Sequence, residues 1–278
     1  MYTGAAGMVA QMHRMDILSN NLANVDLNGY KRDTAIHKAF PELLIRRLND
    51  NGVYKFPFGS ADIAPIAGKI GTGVEMNESY TDFTQGSLKE TENSFDLALE
   101  GKGFFVVQTP MGERYTRNGS FTLGKEGMLL TKEGYPVLGE NGPISIKKNN
   151  FIVDQDGKVF QNGTFSGDPQ RLVSLTENEW ENTEFIDQLR VVDFDRTRYL
   201  KKQGSSLWKD TYESGQAFPS RRENDVKVRQ GFLESANVNP VTAMVQMIEV
   251  NRAYEANQKV VHTQDSMTNK LINEAVRV

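Results

Sequence analysis

The residues of this chain best suited to metal or acid–base chemistry are three histidines, His13, His37 and His262, and they lie far apart. None stands at a metal-ligand spacing. His13 and His262 meet only if the two ends of the chain pair, and two imidazoles do not complete a zinc site. Asp154-Gln155-Asp156-Gly157 resembles the opening of a calcium loop, but the third acidic position and the closing glutamate are missing, so it reads as a hairpin turn. Gly68, Gly71 and Gly73 are followed by no Gly-Lys-Ser/Thr and no clear βα unit, which excludes a phosphate loop. The serines form no Gly-x-Ser-x-Gly elbow. Glu177 and Glu179 are near neighbours, yet nothing divides acid and base roles between them. With no cysteine, disulfides, thiolate nucleophiles and cysteine-held metals are all absent. The expectation is a protein that is not an enzyme, with no catalytic residues, no cofactor and no metal.

Composition narrows the remaining classes. The 278 residues are 38% hydrophobic and 24% charged, enough for a sizeable core and two structural parts. The 32 basic and 36 acidic residues are well mixed, and a net charge of −4 argues against nucleic acid as partner. No apolar run approaches the ~20 residues needed to span a bilayer, so direct membrane insertion is not expected. No basic segment leads into an apolar core, so neither is a cleaved secretory signal.

Two terminal stretches organise the chain. Asn239-Pro240 reads as an N-cap with proline at the first helical position, and neither proline nor glycine follows. A heptad seam runs through Ala243, Met247, Val250, Tyr254, Asn257, Val261, Gln264, Thr268, Leu271 and Ala275. Its polar members cost stability but fix register. The N-terminal stretch carries a similar seam through Ala5, Met8, Met12, Met15, Ser19 and Leu22, with Leu18 and Val25 beside it. The fold class read from this is α+β: paired N- and C-terminal helices forming a coiled-coil-like stem, plus an antiparallel all-β domain. The plainer alternative is two ordinary surface helices.

Between the ends, the first helix fails near Asp26-Leu27-Asn28-Gly29. Pro41 opens a possible short helix through Glu42, Leu43, Leu44, Ile45 and Leu48. Asn49 to Gly73 is rich in turn formers. From Val74 the period becomes that of strands: Phe95–Leu99, Phe104–Val107, Arg114–Arg117, Phe121–Leu123, Met128–Thr131, Tyr135–Leu138, Ile144–Ile146, Phe151–Val153, Lys158–Phe160 and Leu189–Phe194. Asn-Gly pairs at Asn118, Asn141 and Asn162 support hairpins. Alternation places only one of Phe104 and Phe105 fully inside. The expected layout is a stem from 1–30 and 237–278, an irregular connection over 31–78 with a short helix or strands, a β domain over 79–199, and a return segment over 200–236 anchored by Leu207, Trp208 and Phe218.

At Ser19–Lys31 the chain reads SNNLANVDLNGYK, with Asn20, Asn21, Leu22, Ala23, Asn24, Gly29, Tyr30 and Lys31 where the flagellar rod and hook proteins have them. GKGFFVV from Gly101, YTRNGSF from Tyr115 and GFLESANVNPV from Gly231 resemble later blocks of that family. Asn251, Arg252, Ala253, Tyr254, Glu255, Ala256, Asn257 and Val261, within NRAYEANQKVV, resemble its C-terminal helix. The blocks come in family order and cover nearly the whole chain. The resemblance implies a structural subunit of the bacterial flagellar basal-body rod, needed for motility, whose terminal helices polymerise inside a tube. It further implies export through the flagellar type III apparatus without a cleaved signal, a periplasmic location, and partnership with itself and with other rod and hook subunits. Asn20, Asn21 and Asn24 are then expected to offer amides to neighbouring backbones. The start Met1-Tyr2-Thr3-Gly4-Ala5-Ala6-Gly7-Met8 is shorter than is usual for the distal rod type and the run from Lys31 to Gly73 departs from that type's pattern, so the resemblance favours the proximal rod type. Distal rod or hook subunit is the alternative within the family. A soluble β-rich binding or carbohydrate-processing protein is the alternative outside it.

Overall fold

Two proline-free ends and a middle punctuated by turn formers produce two helices and many short strands. The computed structural model describes residues 2–46, 53–56, 59–62, 66–146, 151–162, 183–204, 206–220 and 226–275. The chain divides into two compact units. The first is Met1–Asn20, Thr34–Ser79 and Val241–Val278; the second is Asn21–Asp33 and Tyr80–Pro240.

The first unit is built on helix α1, Tyr2–Ala23, and helix α2, Pro240–Ala275. Between them come β1 (Asp33–Ala39), β2 (Leu43–Arg46), β3 (Val53–Phe56), β4 (Gly59–Asp62), β5 (Ile66–Ile70) and β6 (Val74–Thr81). These pair two by two: β1 with β6, β2 with β5 and β3 with β4. Leu43–Arg46 is therefore a strand and not the start of a short helix. Leu43 lies opposite Ile70 and Leu44 opposite Lys69, so a partner more than twenty residues away overrides the local cue of Pro41. Leu48 falls outside the described residues.

The second unit holds β7 (Leu88–Glu90), β8 (Leu97–Gly101), β9 (Phe104–Thr109), β10 (Gly112–Thr116), β11 (Phe121–Leu123), β12 (Leu129–Thr131), β13 (Phe151–Val153) and β14 (Lys158–Asn162). It continues with β15 (Thr183–Gln188), β16 (Val191–Asp193), β17 (Lys201–Gln203), β18 (Leu207–Lys209), β19 (Phe218–Pro219), β20 (Val226–Gln230) and β21 (Phe232–Glu234). The main sheet has the order β17-β18-β10-β9-β16-β19, and its pairings are antiparallel. Residues 200–236 are thus more than a way back: they add strands to this sheet and pair β20 with β8 and β21 with β7.

Central strand β9 is buried on both faces. Phe105 and Val107 join Leu97, Leu99, Phe121, Leu129 and Phe151 in one core. Phe104 and Val106 join Tyr115, Val192, Phe194 and Trp208 in another. Alternation holds, but with a core on each side neither phenylalanine faces water. Phe104 is 1% exposed and Phe105 0%.

Not every turn is a hairpin. Asn118-Gly119 leads from β10, whose partners are β9 and β18, to β11, whose partner is β12. It carries the chain from one sheet to the next. Asn141-Gly142 does close a tight turn, with Leu138 bridged to Pro143. Gly163, after Asn162, is outside the described residues. Tyr135–Leu138 and Ile144–Ile146 contribute isolated bridges in place of strands. Asp154–Gly157 is the turn between β13 and β14, closed by Gly157 N–H donating to Asp154 O at 2.9 Å.

Candidate functional site

The chain leaves α1 through Asn24–Asn28, and Gly29 takes a φ of +69°. A Cβ on Gly29 would fall 2.4–2.6 Å from the backbone of Arg117 and Asn118, so the residue supplies both the turn and the close approach. Its N–H donates to Glu234 O at 2.7 Å. The following residues, Tyr30 and Lys31, are then buried in the second unit.

Asn21 organises this entry. Its Nδ2 donates to Asp33 O (2.8 Å), while its Oδ1 accepts from Asp33 N (2.9 Å) and from the Tyr30 hydroxyl (3.1 Å). The amide therefore serves its own chain's backbone. Lys31 makes the central ion pair: its Nζ lies 2.5 Å from Glu234 Oε1, with both side chains 0% exposed. Nζ also donates to Thr84 O at 2.8 Å. Gly86 N–H donates to Glu234 Oε1 at 2.9 Å. Arg117 approaches the other carboxylate oxygen at 3.5 Å, donates to Gly101 O at 2.8 Å and stacks 5.4 Å from the centre of Phe104. Two buried cations thus share one carboxylate. Burial pushes the Lys31 ammonium below its ordinary pKa, and the Glu234 charge partly opposes this. Arg117 is lowered by burial in the same way. Such a cluster contributes little net stability but makes any other register costly, because a displaced partner leaves a buried charge alone.

Asn237 completes the knot. Its N–H donates to Tyr30 O at 3.3 Å, its Oδ1 accepts from Arg32 N at 2.8 Å and its Nδ2 donates to Asp82 O at 2.8 Å. The segments that follow α1 and precede α2 are therefore tied directly to each other. Lys202 pairs with Asp33 at 2.9 Å and sits 4.2 Å from the centre of the Tyr30 ring.

Burial, then the Asp33 charge, push the Tyr30 hydroxyl up to about 12. The unfolded phenol titrates near 10. Between these values the unfolded chain releases a proton that the folded chain keeps. Stability is therefore expected to fall with rising pH above 10, by about 1.4 kcal/mol per unit. Urea denaturation at pH 9, 10 and 11 checks this, with Tyr30→Phe expected to show a shallower loss than the parent. Equal slopes would exclude Tyr30 as the cause.

The other motif residues divide. Ser19, Asn20 and Ala23 are exposed and Leu22 and Asn24 half-buried. On α2, Asn251, Arg252, Glu255 and Ala256 are exposed, whereas Ala253, Tyr254, Asn257 and Val261 are half-buried. The C-terminal seam is covered through Ala243, Met247, Val250, Tyr254, Asn257 and Val261, and exposed at Gln264, Thr268 and Leu271. The side chain of Ala275 lies outside the described set.

On α1 the expected seam is covered at Met8, Met15 and Leu22 and exposed at Ala5, Met12 and Ser19, and Gly4, Gly7, Gln11 and Leu18 beside it are covered too. A Cβ on Gly4 would stand 3.0 Å from Val261 Cγ2, and one on Gly7 3.0 Å from Asn257 Nδ2. Glycines, which a hydrophobic pattern places outside a seam, here let the helices approach. Ascending α1 while descending α2 makes the pair antiparallel. That register separates His13 from His262 by about ten residues along the axis, or ~15 Å. No group of three or more His, Cys, Asp or Glu residues able to hold a metal occurs among the described residues.

Glu234, Arg117, Asn237, Gly4 and Gly7 escaped the reading by motif. Glu234 and Asn237 stand inside the block GFLESANVNPV and Arg117 inside YTRNGSF, so their types were visible although their partners were not.

One unit is an antiparallel β body, and the other holds most of both terminal helices. The family profile for flagella basal body rod proteins matches residues 1–31. That for the D1 domain of the flagellar hook proteins FlgE/F/G matches 98–161, and that for the C-terminal part of the rod proteins FlgEFG matches 229–274. The chain is similar to the flagellar basal-body rod protein FlgG of Buchnera aphidicola subsp. Schizaphis graminum, 34% identical over 98% of this chain and 97% of that one. It is similar to the flagellar hook-basal body complex protein FlhO of Bacillus subtilis, 32% identical over 100% and 98%. It is also similar to the rod protein FlgF of Caulobacter vibrioides, 30% identical over 94% and 91%. The chain belongs to the flagellar basal-body rod and hook protein family, whose members are structural proteins and not enzymes.

Proposed function

We propose that this chain is a structural subunit of the flagellar basal-body rod, needed for motility, which polymerises through α1 and α2 paired as a coiled-coil-like stem. The mismatch in helix length carries the proposal. α2 has 36 residues and α1 has 22. In the antiparallel register, α1 runs out near Thr263, and roughly 12 residues of α2, ~18 Å, continue beyond it. That extension exposes Met267, Leu271 and Ile272. A helix of this length is marginal in water without packing along its apolar side, and neighbouring subunits supply it. Leu43, Leu44, Ile45, Ile66 and Ile70, exposed on the β2–β5 ribbon, add a second apolar surface for another copy. Passage through the flagellar type III apparatus without a cleaved signal, and a position in the periplasmic space, accompany this reading.

Relatives of both rod types match the chain. Identity of 34% over 98% of the chain to an FlgG, against 30% over 94% to an FlgF, supports the distal type over the proximal type favoured by the sequence reading.

Val261→Asp tests the stem. The half-buried side chain lies against Gly4, and a carboxylate there would put a charge into the close contact between the helices. The variant is expected to be exported and to keep a folded β unit by near-ultraviolet circular dichroism, yet to build no rod. An exported Val261→Asp chain that still forms rods would show that this seam is not the assembly surface.

A further inference from the structure

The carboxylate that neutralises Lys31 arrives late, on the last strand before α2. Strand β20 pairs with β8 and β21 with β7. Val228 N–H donates to Gln155 O at 2.9 Å. Gln230 donates to Ser94 O and Phe151 O and accepts from Val153 N. Asn237 binds Tyr30, Arg32 and Asp82. One stretch of a dozen residues thus stitches together residues 29–33, 82–101 and 151–155.

We infer that residues 226–237 are the closing segment of the second unit, and that Glu234 licenses the burial of Lys31, so that the roots of both helices are secured in one late step. Before Glu234 is in place, seating Lys31 puts its ammonium near the Arg117 guanidinium in a dry site with only the weaker fields of Asp82 and Asp193 to offset the two charges, which like-charge repulsion and desolvation both oppose. Tyr30-Lys31 therefore stays outside, and α1 has no secured root. With Glu234 present, the two cations gain a shared counter-charge and Gly29, Lys31 and Asn237 lock together. The consequence for assembly rests on the rod-subunit reading: the segment that follows α1 is not secured until residue 234 is present and the β body has formed.

The test is amide hydrogen exchange on the full-length protein. In Glu234→Gln, residues 21–33 and 226–237 are expected to exchange together, roughly tenfold or more faster, while 104–107 and 112–116 stay protected. Adding Lys31→Met removes the second cation and is expected to restore protection to 21–33. Were Glu234 only an acceptor for the Gly86 N–H, this second change would restore nothing. Pulse labelling during refolding of the unaltered chain decides the matter even if Glu234→Gln does not fold: 21–33 and 226–237 should gain protection in one phase, after 104–116. Protection of 21–33 before 226–237, or an unrescued double variant, overturns the inference. No readout involves a polymer, so failure to build rods and failure of this folding order are separate outcomes.

Discussion

Phe104→Ala and Phe105→Ala are each expected to lower the stability of the β unit by about 3–5 kcal/mol. Both side chains are buried, but in different cores on opposite faces of β9. Phe105 meets Phe121 edge-on at 5.3 Å. Phe104 packs against Phe83 at 5.4 Å, Trp208 at 5.7 Å and Phe194 at 5.9 Å. Each truncation removes a large apolar group and leaves a void that rigid neighbouring strands cannot fill. Phe104 also lies beneath the Arg117 guanidinium, so its loss exposes one flank of the ion cluster and should fall at the upper end of the range. Urea denaturation followed by fluorescence measures both. If either variant loses less than about 1 kcal/mol, the corresponding face of β9 is not packed core.

Gly119→Ala is expected to be at least as severe, about 4 kcal/mol or more, in the tail reserved for strong steric conflict. A Cβ at this position would stand 1.5 Å from the carbonyl oxygen of Leu97 and 2.7 Å from its carbonyl carbon. Both are backbone atoms, so no rotamer change relieves the clash. The same two residues are joined by the Leu97 N–H, which donates to Gly119 O at 3.0 Å, and separating them breaks that bond beside the buried Leu97 side chain. Gly134→Ala is the control. Gly134 has a φ of +88°, and no atom stands within 4 Å of the place its methyl group would take, so only backbone strain of about 1–2 kcal/mol is expected. Denaturation midpoints within error of each other would mean that the Leu97 backbone gives way to the added methyl group.

Local chemistry was legible in the order of residues alone. Pro240 does open α2, and the chain does turn at Gly29. Strands Phe121–Leu123 and Phe151–Val153 fall on the residues their alternation marked. The covered seam of α2 follows its heptad as far as Val261. Each of these depends on neighbours within a few positions, which is the range over which periodicity, capping and turn propensity act. The motif residues were legible as types and as a resemblance to a family, which the matched relatives establish.

Tertiary structure decided who meets whom. Lys31 and Glu234 are 203 positions apart, and nothing local to either names the other; the pairing follows from β21 lying beside β7. A second core over β9 gave both Phe104 and Phe105 an interior, where alternation alone leaves one outside. Asn118-Gly119 crosses between sheets because Leu97 passes against it, a contact no turn propensity contains. On α1, glycine carried the contact face because close approach to Asn257 and Val261 rewards the absence of a side chain, whereas a hydrophobic pattern counts only what is present. Periodicity reports that a face is covered; the identity of the covering group is set by topology, which the distant parts of the chain settle together.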